Sequence, residues 1–233
     1  MSRRMLYTLA TVIAAVASPL AGQDSRPGIA VLPFENGGSY GQDKESFDAL
    51  QKGIPAMLIS ELSNNPAARL VDRSQTQQLL SEQDLGKEGR VDANTAAKIG
   101  KLVGAKYVIL GSFIDFYGKF RVDARIVNVE TGEIMKVVTN DPKLQKREEL
   151  FRIIQDVSEK IMANTKLPPL SAEVSRVMKA RDVPTEALTY YSRALLYQDR
   201  GDNAKAADYY SKALAVFPEY AEAQAGLKKV KPA

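Results

Sequence analysis

The hydrophobic positions of this chain change period along its length, and the changes divide it into elements. Gly28-Ile-Ala-Val-Leu-Pro-Phe34 is a short apolar run ending near a proline, which predicts a buried strand. Glu35–Gln42 is glycine-rich and polar, a loop. Phe47, Leu50, Ile54, Met57, Leu58 and Leu62 then recur at helical spacing and form one apolar stripe, with Pro55 inside it as a kink or a start. Arg69–Asp72 predicts a second strand. Ser74 and Gln77 form a capping box for a helix through Leu79 and Leu80. A further helix covers 93–103 and stops at Gly104, a left-handed cap.

The second half of this region is strand-rich. Residues 106–116 are apolar on both faces, as a central strand must be. Phe120, Val122, Ala124 and Ile126 alternate with Arg121, Asp123 and Arg125, marking a strand with one wet face. Glu130-Thr131-Gly132 turns the chain into 133–138 as a hairpin. Leu150, Ile153, Ile154, Val157 and Ile161 form the stripe of an amphipathic helix, and Leu167-Pro-Pro169 closes the unit. Helices separate the early strands and hairpins join the late ones. The predicted class is therefore α+β or α/β: a mixed sheet flanked by helices over 28–165, followed by a small all-helical region over 170–233.

That helical region follows a repeat pattern. Tyr190, Ala194, Tyr197, Gly201, Ala206, Tyr210, Ala213 and Pro218 occupy, over 187–220, the bulky, small, turn and terminating places of one tetratricopeptide unit of about 34 residues. Arg193 stands where leucine is common and Ala194 where glycine is. The alanines let two helices approach, and the tyrosines fill the space between them. One unit does not bury its own faces, because about three are needed for a continuous core. Flanking stripes supply part of the deficit: Leu170, Val174, Val177 and Met178 before it, and Tyr220, Ala223, Leu227 and Val230 after it on a solvating cap. The rest must lie against the α/β domain, another copy or a partner. Leu188, Tyr191, Leu195, Gln198 and Asp199 fall on the expected concave, protein-binding side, without the lysine/asparagine set that clamps a peptide carboxylate.

Composition narrows the chemistry. The 233 residues contain no histidine, cysteine or tryptophan, so the commonest general base, the thiol nucleophile and the usual metal ligands are missing. Glu35, Asp72, Asp115 and Asp123 lie nearest strand ends, but their spacing identifies no catalytic pair. Ser39, Ser60 and Ser112 have no histidine to activate them, and Gly37-Gly38 lacks the glycine–lysine–hydroxyl spacing of a phosphate loop. The expectation is a protein without catalytic, cofactor or metal sites. Arg73 and Gln75 are either a docking surface or the start of a helix.

The amino terminus reads as an address. Arg3 and Arg4 precede an uncharged stretch from Met5 to Gly22 that ends in small residues, the layout of a secretory signal over 1–23. That segment holds two of the 32 basic residues and none of the 28 acidic ones, so 30 basic and 28 acidic residues remain beyond it, a charge of +2. Such a balance argues against a nucleic-acid binder.

Several segments occur together in a telling order: Ile29-Ala-Val-Leu-Pro-Phe-Glu-Asn36, Leu58-Ile-Ser-Glu-Leu62, Val71-Asp-Arg-Ser-Gln75, Leu79-Leu80, Ala97–Ser112, and Ala124–Ile134. The set resembles the CsgG/HfaB family of bacterial envelope proteins and, more loosely, the amino-terminal domain of TolB-like proteins and the accessory proteins LpoB and FlgO. The resemblance implies a periplasmic α/β domain that oligomerises or docks onto envelope machinery, peripheral to the outer membrane. The curli-secretion member makes a channel by lengthening hairpins into membrane-crossing strands, and it is anchored through a lipidated cysteine. This chain has no cysteine, and only Tyr117, Gly118 and Lys119 separate Phe116 from Phe120. A membrane-crossing strand needs about 9–11 residues, so no integral insertion is expected. The reading is an exported scaffold that binds a protein partner, with a secretion-channel subunit and a small-ligand or peptidoglycan-binding module as alternatives.

Overall fold

The computed structural model describes residues 24–39, 44–82, 91–140 and 145–231. The predicted export signal lies outside them. The chain runs β1 (Gly28–Val31), β2 (Glu35–Asn36), α1 (Lys44–Ser63), β3 (Arg69–Leu70), α2 (Arg73–Glu82), α3 (Ala93–Leu102), β4 (Tyr107–Phe116), β5 (Lys119–Asn128), β6 (Ile134–Thr139), β7 (Gln145–Lys146), α4 (Leu150–Asn164), α5 (Ala172–Ala180), α6 (Thr185–Asp199), α7 (Asn203–Val216) and α8 (Ala221–Val230). A single-turn 3-10 segment, Arg147–Glu149, leads into α4.

The sheet is mixed, in the order β3-β1-β4-β5-β6, with β2 paired to β4 and β7 to β5. β1 runs parallel to both β3 and β4, while β4, β5 and β6 form an antiparallel meander. Helices join the parallel strands because parallel neighbours need a crossover, and tight turns join the antiparallel ones. Tyr117 and Gly118 make the β4–β5 turn, both at positive φ (53° and 79°), as a two-residue hairpin with the right twist requires.

Alternation along the strands assigns each face its cover. Ile29, Val31, Tyr107, Ile109, Phe113, Phe120, Val122, Ala124 and Ile126 point to one side, where α1 and α4 bury them. Ala30, Leu32, Val108, Leu110 and Val127 point to the other, beneath α2 and α3. All six residues of the predicted α1 stripe are buried, and Pro55 sits inside one continuous 20-residue helix. The α4 stripe is likewise completely buried. The helix after β3 starts two residues earlier than the Ser74/Gln77 box predicts. Asp72 takes the cap instead, accepting from the Ser74 backbone N–H at 2.7 Å and from its hydroxyl at 2.5 Å.

The helical tail is not a separate body. α6 and α7 form an antiparallel hairpin with Gly201 at φ +78° in the turn, and Asp202 caps α7 through the Lys205 N–H at 3.1 Å. Ala194, Ala206 and Ala213 are fully buried where the helices meet. Tyr210 is fully buried too, while Tyr190 and Tyr197 pack at the partly exposed edge against Tyr209, at ring separations of 6.3 and 5.5 Å. Beyond its own hairpin, α6 lies along α1, and one apolar cluster runs from the sheet through α1 and α4 into α6, α7 and α8. The flanking stripes divide unequally. α8 buries Tyr220, Ala223 and Val230, whereas of the α5 stripe only Met178 is buried and Val177 stays 63% exposed.

Candidate functional site

The five residues expected on an open concave face divide, with Gln198 half-buried and Asp199 exposed. Leu188, Tyr191 and Leu195 are buried, because that side of α6 is laid against α1 of the same chain. Part of the apolar surface that one repeat unit leaves uncovered is thus satisfied intramolecularly, the first of the three options the sequence allowed. Gly53 makes the approach possible. A Cβ there would run into the side chain of Ser192, so only glycine fits at that point of α1.

Polar groups flank this apolar seam. Asp199 receives both guanidinium nitrogens of Arg73, at 2.9 Å each, and Lys52 stands 3.8 Å away. Arg73 is thus a docking residue, but for the protein's own tail. Gln198 accepts from the Tyr210 hydroxyl at 2.6 Å. Along α1, Tyr197 donates to Glu45 at 2.6 Å, Arg193 to Ser46 at 2.8 Å, and the Tyr220 hydroxyl approaches the Met57 sulfur at 3.1 Å. At the other end Arg181 bridges Glu61 (3.3 Å) and Glu222 (2.5 Å), and Ser60 donates to Glu222.

The two carboxylates of that bridge titrate in opposite directions. Burial pushes Glu61 above the usual carboxylate range, against the pull of Arg181. Burial acts on Glu222 in the same sense, yet hydrogen bonds from Arg181 and Ser60 hold it below that range. Burial also lowers Lys52, opposed by Asp199. The difference between the acids is one of donors: Glu222 has a hydroxyl and a close guanidinium, Glu61 a longer contact and the Gln155 amide at 3.4 Å.

Where the seam opens, a cleft of about 320 Å³ remains between α1, the start of α2, α6, α7 and α8. Tyr191, Leu195 and Gln198, three of the five predicted face residues, line it together with Ala56, Ile59 and Ala225. Asp72 and Lys229 also line it, as does Arg73. No pattern in α1 or α8 alone marks these positions, since the cleft exists only once the tail is docked.

Five of the carboxylates and serines weighed for chemistry, Asp72, Asp115, Asp123, Ser39 and Ser60, have structural roles in hydrogen bonds or ion pairs. Asp115 is buried in an ion pair with Arg147 and accepts from the Gly118 N–H at 2.7 Å, holding the β4–β5 turn. Asp123 pairs with Arg121 at 2.9 Å. Ser39 accepts from the Asp115 N–H at 3.1 Å. Among the described residues no group of three or more acidic side chains is placed to hold a metal ion.

This sheet order and these helix positions can be set beside known proteins. Residues 8–121 match the family model for the curli production assembly/transport component CsgG. Over that stretch the α/β body is similar to this family. The match ends in β5, ahead of β6, α4 and the helical tail. Among solved structures, the chain is similar to the LpoB C-terminal domain from Salmonella enterica, at 21% identity over 54% of this chain and 87% of that one, with a TM-score of 0.34. Lipoprotein GNA1162 from Neisseria meningitidis is similar at 14% identity over 60% and 98%, TM-score 0.39. The PelC dodecamer from Paraburkholderia phytofirmans matches at 13% identity over 59% and 87%, TM-score 0.36. No curated protein matches the chain.

Proposed function

We propose that the protein is a non-enzymatic, exported scaffold of the bacterial envelope, in which the CsgG-like body and the helical tail act as one rigid binding unit. The observation that supports this most is the seam itself. The apolar face of α6 is spent on α1 within a shared core, so binding is left to the cleft and to the outer surfaces of a fixed assembly. The family match supports the envelope setting, and the two arginines and apolar stretch at the amino terminus support export to the periplasm.

The channel alternative has less support. β4 and β5 each give all ten of their residues to mutual pairing inside the sheet and meet in a two-residue turn. No helix among the described residues is long and apolar enough to cross a membrane.

Two measurements on the full-length protein in its own cell test the proposal together. Protease should degrade it in spheroplasts while sparing it in intact cells, and in-cell cross-linking with mass spectrometry should link it to a second envelope protein. Protection in spheroplasts, or cross-links confined to cytoplasmic proteins, would overturn the reading.

A further inference from the structure

The cleft at the seam is lined by a phenol that the protein itself leaves without an acceptor. Tyr191 is 6% exposed, and its ring is wedged between Tyr210 and Tyr220 at centroid distances of 6.0 and 5.0 Å. Its hydroxyl makes no hydrogen bond among the described residues, although its electrostatic neighbours include Arg73, Tyr210 and Glu222, all of which line the cleft. It is not one of the fully enclosed unpaired polar atoms among the described residues, so it opens onto the cleft, where an acceptor can reach it. Burial, reinforced by the adjacent Tyr210, keeps this phenol protonated, so it has a proton to donate into the cleft.

Apart from Lys229, the remaining polar groups of the lining are held by protein partners. Arg73 is held by Asp199, Gln198 by Tyr210, Glu222 by Arg181 and Ser60, and Asp72 by Ser74. The charged lining residues are two acids, Asp72 and Glu222, and two bases, Arg73 and Lys229, a balance that favours a neutral occupant over an ion. The walls between them are the apolar side chains of Ala56, Ile59, Leu195 and Ala225. At about 320 Å³ the space lies at the small end of ligand cavities, roughly 300–1,000 Å³. A neutral acceptor oxygen attached to an apolar group of modest size is the chemistry that fits, and a peptide carbonyl beside an aliphatic side chain supplies both.

We propose that this cleft seats one apolar residue of an extended polypeptide segment from a partner, whose backbone carbonyl accepts a hydrogen bond from the Tyr191 hydroxyl. The inference rests on reading the protein as a binding scaffold and names the contact by which it binds.

The test uses the full chain with methyl-labelled isoleucine, leucine and alanine, titrated in the NMR spectrometer with N-acetyl-leucinamide and with the capped tripeptide N-acetyl-Ala-Leu-Ala-amide. Ile59, Leu195, Ala56 and Ala225 methyls should shift selectively, and the tripeptide should bind at least as tightly as the single residue. Tyr191→Phe should weaken both roughly tenfold, the loss of one hydrogen bond, while its melting temperature stays unchanged or rises. Ala225→Phe at the exposed rim should fill the mouth and abolish binding. Absence of methyl shifts, exclusion of the tripeptide, or equal affinity for Tyr191→Phe would each overturn the proposal. Cross-links to an envelope partner that survive Ala225→Phe would remove the cleft while leaving the scaffold reading intact. Protection of the protein in spheroplasts would remove the scaffold reading without touching the titration.

Discussion

Replacing Gly53 by alanine separates local helix preference from tertiary contact, because the two push stability in opposite directions. Within α1 taken alone, alanine stabilises relative to glycine by about 1 kcal/mol. In the folded chain the new methyl would meet the Ser192 side chain, which is fully buried and bonded back to the Leu188 carbonyl at 2.7 Å. The new methyl would lie 2.6 Å from the Ser192 Cβ itself, which no side-chain rotation moves, so the helices must part. Overpacking of this kind costs about 1–3 kcal/mol, which leaves Gly53→Ala destabilised by up to about 2 kcal/mol. For a chain of this size the melting temperature should fall by about 2–4 °C per kcal/mol. Ser192→Gly removes the obstruction, so the double variant should be more stable than the sum of the single changes by about 1–3 kcal/mol. Urea and thermal melts of the four proteins complete the cycle. A Gly53→Ala protein that melts above the parent, with no coupling to position 192, would mean that α6 does not lie against α1.

Four further substitutions have outcomes set by the same structure. Tyr210→Ala removes a fully buried ring beneath Gly226 and strips Gln198 of its donor; by analogy with buried aromatic truncations it should cost about 3–5 kcal/mol, and an unchanged melt would refute the packing. Glu222, held low by its donors, contributes stability that is present above the unfolded carboxylate range and lost as pH falls through its folded value, so the deficit of Glu222→Gln should shrink on acidification. Glu61, raised by burial, behaves oppositely: its folded state takes up the proton first, so acidification from neutrality should stabilise the parent relative to Glu61→Gln; parallel pH profiles of urea midpoints for the two variants would contradict the pairing. Tyr117→Asn should raise stability by about 1 kcal/mol, because asparagine accepts the left-handed backbone at φ 53° that tyrosine resists, and a lowered melt would refute the turn geometry.

Much of the architecture was legible in the chain because single-element periodicity reports single-element burial. The α1 stripe from Phe47 to Leu62, the two-faced apolar run of β4, the alternation of β5 and the stop at Gly104 each depend on one element and its own neighbours, and each appears where the pattern placed it. Arrangements that depend on two distant elements were not legible. The bulky and small positions of α6 and α7 identified a hairpin with an uncovered face, but they carry no information about which surface covers it. That choice is made by Gly53 and by Arg73, whose partners lie 139 and 126 residues further on, at Ser192 and Asp199. Read alone, Gly53 is a weak point in a helix and Arg73 the first residue after a strand. α5 shows a partial case: its stripe is periodic, yet the helix lies at the rim, with Met178 buried, Leu170 and Val174 half-buried against the core, and Val177 exposed. The cleft was legible only in part, through Tyr191, Leu195 and Gln198, because α1 and α8 supply its remaining walls.

The docking of the tail on α1 is read most directly from one proton pair. Met57 and Tyr220 are 163 residues apart, and the tyrosine hydroxyl stands 3.1 Å from the methionine sulfur in the shared core. In the methyl-labelled full chain, a strong nuclear Overhauser effect should connect the Met57 methyl group to the Tyr220 ring, and it should vanish on Met57→Leu. A Met57 methyl with cross-peaks only to residues of the sheet and α4, and none to any tail tyrosine, would contradict the single-unit account.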